Sequence, residues 1–100
     1  MSRTPPATAP GYTADKDQLL RRMARVEGQV RGVAGMIRDD RYCIDVLTQI
    51  SAAQAALDKV ALGLLDGHAH HCVVGAATAK ERDAKTDELM LAVGRLMRRG

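Results

Sequence analysis

What this chain can fold into is limited most by two apolar seams, each built on alternating spacings of three and four residues. Leu19, Met23, Val26, Val30, Val33 and Ile37 form the first; Cys43, Val46, Ile50, Ala53, Leu57, Val60 and Leu64 form the second. Steps of three and four return to one side of an α-helix, whereas a strand needs a period of two. Two long helices follow, one from Thr13 to about Ile37 and one from Cys43 through His68 and Cys72 to about Val74. Thr13 is placed to cap the first, with Asp15 and Asp17 near its positive end. Arg38-Asp39-Asp40-Arg41 is the turn between them, with an Asp ready to cap the second helix. Gly63 and Gly67 are the weak points of that second helix. Residues 75–81 read as a loop, and a short third helix covers roughly 82–98, with Leu89, Val93, Leu96 and Met97 on its apolar side. The fold class is all-α: two long helices and a short C-terminal one.

A length of 100 residues allows one small domain, placed at 13–100. The Pro-, Thr- and Ala-rich stretch 1–12 carries no apolar period and reads as a disordered tail. The sequence has no Phe and no Trp, and its two aromatics are Tyr12 and Tyr42. Small aliphatic residues let helices approach closely, yet one copy of so short a chain buries little apolar area. Self-association is the expected source of stability. The first residues lack the apolar core of a secretory signal, and no stretch approaches the ~20 apolar residues that span a bilayer. A cytoplasmic setting is expected, where two cysteines point to metal or redox chemistry rather than a structural disulfide. The net charge of +3 and pI near 9.2 permit a nucleic-acid partner without requiring one.

The chemistry concentrates in Cys43 and in His68-x-x-x-Cys72. His68 and Cys72 stand four apart on one helix, so both side chains leave the same face and can chelate one ion. Cys43 is the missing third donor, but the 25 positions to His68 span about 37 Å of continuous helix at ~1.5 Å per residue. One chain cannot close such a site. An antiparallel second copy of the helix, with a two-fold axis near Leu57, sets Cys43 of one subunit beside His68 and Cys72 of the other. Two thiolates and one imidazole suit three-coordinate Cu(I). Structural zinc asks for four donors, which His70 or His71 could complete. Taken singly, Cys43 could equally be a small buried hydrophobe, and the His68–Cys72 pair could be incidental.

A second group lies on the polar face of the first helix, where Gln18, Arg21, Arg22, Arg25, Gln29 and Gly32 cluster. Arg and Gln serve phosphates and base edges, and a glycine lets a backbone come near. Without other evidence an ordinary solvated face explains this strip better, and no helix-turn-helix or zinc-finger pattern is present. Nor does any nucleophile–base–orienter set or phosphate loop point to an enzyme.

Three stretches carry a family resemblance: R-R-M-A-R-V-E-G-Q-V-R-G-V-A-G-M-I at 21–37, Y-C-I-D-V-L-T-Q-I-S-A-A at 42–53, and H-A-H-H-C at 68–72. Together they resemble the CsoR/RcnR family of metal-responsive repressors over about residues 12–98. The copper-sensing branch is marked by a Cys, His, Cys triad, which falls on Cys43, His68 and Cys72. Its nickel/cobalt branch uses extra histidines, one of them near the N-terminus, and no His precedes His68 here. The persulfide-sensing branch lacks the His, and the formaldehyde-sensing branch lacks the second Cys. The resemblance implies supporting roles behind the ligands for Tyr42 and Glu88. It implies DNA contacts at Arg22, Lys59 and near Gln29, to which the helical wheel adds Arg25. It also implies a disc-like homotetramer, a dimer of antiparallel four-helix-bundle dimers.

The expected function is a Cu(I)-responsive repressor whose apo form holds operator DNA. It would release that DNA when one Cu(I) per protomer bridges two subunits, derepressing copper-resistance genes. Two other classes fit the same residues. A thiol- or persulfide-sensing repressor would use Cys43 and Cys72 and tolerate loss of His68. A copper storage bundle would show no salt-dependent DNA affinity.

Overall fold

The computed structural model describes residues 11–98, in which the regular structure is helical throughout. Residues 1–10 of the expected tail and residues 99–100 lie outside the described part. A 3-10 turn at Thr13–Asp15 leads into α1 (Lys16–Arg38). Then come α2 (Cys43–Gly67), a π-helical turn at His68–Val73, and α3 (Ala79–Met97). The all-α protomer of two long helices and one shorter helix is as the seams predict. Among the described residues no helix is long and apolar enough to cross a membrane.

The chain divides into two compact units, Lys16–Leu62 and the segments that precede and follow it. In the first, α1 and α2 fold back on each other across a four-residue connection. The buried core is Leu19, Val26, Val46 and Val60, all of them seam positions. Further along the same seams Val30 is 56 % exposed, Ile37 61 % and Leu57 46 %. A wholly apolar groove of about 260 Å³ opens between Val26, Val30 and Val33 of α1 and Ile50, Ala53 and Leu57 of α2. Burying such a side chain is worth roughly 1.5–3 kcal/mol, so much of the stabilisation written into the seams is not realised within one chain.

The α1–α2 turn corrects one expectation. Asp40 closes the first helix rather than capping the second. Its φ is 55°, its N–H donates to the Ile37 carbonyl at 3.1 Å, and the Arg41 N–H donates to the Met36 carbonyl at 3.0 Å. This pair of bonds is the Schellman arrangement, in which a left-handed residue satisfies the last carbonyls of a helix. Asp tolerates that conformation better than most residues. The carbonyl of Tyr42 then receives the Val46 N–H at 3.2 Å and opens α2.

In the second unit, Gly63 does not break α2, and helical structure continues beyond Gly67, but in a wider form. The Val74 N–H reaches back five residues to the Ala69 carbonyl at 3.0 Å, the mark of a π-helix, a rare form found mostly as single turns. α3 begins at Ala79, three residues earlier than its apolar pattern suggests. Thr78 Oγ1 accepts the Glu81 N–H at 3.1 Å, while Glu81 Oε2 accepts the Ala77 N–H at 3.4 Å. The Thr78 cap satisfies one donor that the helix start would otherwise leave open, while Glu81 reaches past Thr78 to the residue before it rather than to the Thr78 N–H of a full capping box. α3 packs against the π-helical turn.

Candidate metal centre

His68 and Cys72 open and nearly close the π-helical turn, and both are partly buried. They line one cleft of about 630 Å³ together with Tyr12, Glu81, Lys85 and Glu88. The widened turn keeps a four-residue separation on one side of the helix, so imidazole and thiol face the same space. The His68 ring is held from α3, with Nε2 lying 2.9 Å from the Lys85 carbonyl oxygen. A carbonyl can only accept, so Nε2 carries the proton and a neutral ring keeps its lone pair on Nδ1. Fixing one ring nitrogen through a backbone carbonyl is how protein scaffolds orient a histidine for metal binding by the other. Glu88 Oε2 lies 3.9 Å from the same Nε2, which places this carboxylate behind the imidazole.

Of the two spare histidines, His71 lines the cleft. His70 instead turns to Asp66, with Nε2 and Oδ1 3.1 Å apart and both side chains exposed. The segment before α1 also borders the cleft. Gly11 crosses so close to Gly67 that a Cβ on Gly11 would clash with the Gly67 carbonyl oxygen and stand 3.1 Å from Cys72 Sγ. A side chain on Gly11 would force the two backbone segments apart, and a Cβ on Gly67 would stand a tight 3.1 Å from Gly11 and Tyr12. Sequence reasoning missed Gly11, Tyr12, Glu81 and Lys85 as neighbours of the donors. For Tyr12 the available signal was an aromatic beside a glycine in a stretch otherwise poor in apolar residues.

Cys43 is the first residue of α2, in the other unit, and is exposed as a free thiol, as its neighbour Tyr42 is exposed at 66 %. A small buried hydrophobe does not describe Cys43 in this chain. Among the described residues, no group of three His, Cys, Asp or Glu side chains within one chain could hold a metal. Thiols and an imidazole held through Nε2 are donor types that fit a soft monovalent ion.

Arg22, Arg25 and Gln29 share a flank of α1 beside the apolar seam; Arg25 and Gln29 are exposed and Arg22 half-buried. Lys59 is exposed on α2. Gly32 ends the same strip and faces open space, with no atom within 4 Å of a built Cβ.

A helical hairpin carrying an exposed thiol and a basic flank, with a His-x-x-x-Cys pair beyond it, defines a class of small helical metal sensors. Residues 15–95 match the family model described as metal-sensitive transcriptional repressor, and the chain belongs to this family. It is 54% identical over 92 residues to the copper-sensing transcriptional repressor RicR of Mycobacterium tuberculosis (strain ATCC 25618 / H37Rv), across 90% of this chain and 96% of that one. Among solved structures it is similar to the copper-sensing repressor CsoR with Cu(I) from Geobacillus thermodenitrificans NG80-2. That likeness has a TM-score of 0.78 at 40% identity, covering 98% of this chain and 94% of the other. The nickel-responsive transcriptional regulator InrS is also similar, with a TM-score of 0.68 at 32% identity over 95% of this chain and 98% of that one. The fold is therefore shared by sensors of different metals, and the donors must discriminate between them.

Proposed function

We propose that this protein is a Cu(I)-responsive repressor whose apo form binds operator DNA. Cys43 of one subunit joins His68 and Cys72 of another around one Cu(I) per protomer. The observation that carries this reading is the His68 ring: held to α3 through Nε2, it leaves Nδ1 as the ligating nitrogen, on the turn and cleft it shares with Cys72. Two thiolates and an imidazole prefer Cu(I) to the harder ions. The likeness to RicR and to Cu(I)-bound CsoR is greater in identity than the likeness to InrS, which supports copper over nickel.

The third donor must come from another copy. α2 has 25 residues, and a helix of that length carries its first residue about 37 Å from its last at ~1.5 Å per residue. A two-fold, antiparallel pairing of α2 brings Cys43 to the partner's π-helical turn and covers the apolar groove. The assembly we propose is a homodimer of four-helix-bundle form that doubles into a tetramer. Tyr42, next to Cys43, and Glu88, behind His68, orient the donors. Arg22, Arg25, Gln29 and Lys59 hold the DNA.

Bound metal adds coordination bonds that tie two chains, and it can loosen DNA only if the liganded form binds DNA more weakly. A coupling of ~1–3 kcal/mol per linked event is the usual scale for such effects. Titrating Cu(I) into an operator complex tests the proposal. Release should follow Cu(I) loading in the wild type and vanish in Cys43→Ser, while release that persists in Cys43→Ser contradicts it.

A further inference from the structure

The cleft around His68 and Cys72 holds a cation that the donor set does not account for. Lys85 lines it, is 38 % exposed at its side chain, and reaches Glu88 Oε2 with Nζ at 3.7 Å. The same Glu88 oxygen is 3.9 Å from His68 Nε2, and the carbonyl of Lys85 itself receives that nitrogen's proton at 2.9 Å. One residue thus meets the metal-facing histidine twice, directly through its backbone and through Glu88 with its side chain.

The charge balance shows what the ammonium does. A closed site of two thiolates, one Cu(I) and Glu88 carries two net negative charges, and Glu81, on the same cleft, adds a third. His68 and Cys72 are partly buried while Glu81 and Glu88 stand exposed at the cleft edge, so the like charges repel through partly screened space and a cation among them relieves that repulsion. Lys85 is the one Lys or Arg among the described residues lining the cleft. We infer that Lys85 is a positioning residue of the metal centre. Its ammonium holds the Glu88 carboxylate behind His68 and offsets the negative charge that ligation creates. This inference rests on the proposed Cu(I) site and deepens it by adding a residue that touches no metal.

The test is competition for Cu(I) against a chelator of known affinity, on full-length protein whose helical content is first matched to wild type by circular dichroism. Lys85→Met keeps the apolar stem and removes the charge; its Cu(I) affinity should fall about tenfold, or ~1.4 kcal/mol. Lys85→Glu should fall further, and Lys85→Arg should stay within about threefold of wild type, because a cation at this place is what the site needs. The gap between wild type and Lys85→Met should narrow as salt is raised, since screening weakens a charge effect and leaves a packing effect untouched. Wild-type affinity in Lys85→Met overturns the inference, as does an equal loss in Lys85→Arg and Lys85→Met. Cys72→Ser separates the two levels. If Cys72→Ser loses Cu(I) binding while Lys85→Met does not, the Lys85 inference alone fails; if Cys72→Ser binds as wild type, the site itself is wrong.

Discussion

Asp40 sits in left-handed backbone with φ 55°, where a Cβ meets the following carbonyl and glycine does not. Asp40→Gly should therefore stabilise the fold by roughly 0.5–1 kcal/mol, the strain relieved less the extra freedom glycine brings to the unfolded chain. The denaturant midpoint is expected to rise at unchanged slope; a lower midpoint would mean that the Asp side chain makes an interaction worth more than the strain. At this scale the proposed donors stand out because thiols and imidazoles are few in the sequence and their chemistry is specific. The residues around them do not. Gly11 and Lys85 reach His68 and Cys72 from segments remote along the chain, and nothing in the local pattern announces a carbonyl that will fix a ring nitrogen.

At the scale of helices, spacing set the existence of all three, while their ends were decided by short polar signals that apolar periodicity ignores. The Thr78-Ala79-Lys80-Glu81 run has the capping-box form, and reading the apolar face alone starts α3 too late. Thr78→Ala removes the oxygen that accepts the Glu81 N–H and should cost about 1 kcal/mol. The effect should appear as faster amide exchange confined to the first turn of α3. Exchange spread evenly over the helix would show that the cap does not hold this end. The π-helical turn had no such signal. It lies where α3 packs and where Gly11 crosses Gly67, both tertiary contacts beyond the reach of a window on the sequence.

At the scale of the whole molecule, the seams promise more burial than one chain delivers. Val30, Ile37 and Leu57 stay largely exposed, and a second copy is the natural cover. The DNA contacts proposed on α1 belong to this scale as well, because DNA would meet the surface of the proposed assembly. Arg25→Ala should weaken operator binding and reduce the slope of log affinity against log salt by about 1 for each phosphate that the guanidinium neutralises. An unchanged slope would remove Arg25 from the DNA face. Subunit mixing tests most directly whether two chains share each proposed copper site, without any assumption about DNA. Cys43→Ser and Cys72→Ser should each fail alone to bind Cu(I) tightly. After unfolding and refolding together, half the dimers pair unlike subunits, and each such dimer has one complete site by two-fold symmetry, so about a quarter of wild-type Cu(I) capacity should return. If the mixture binds no more Cu(I) than the separate variants, the donors do not come from two chains and the shared site is wrong.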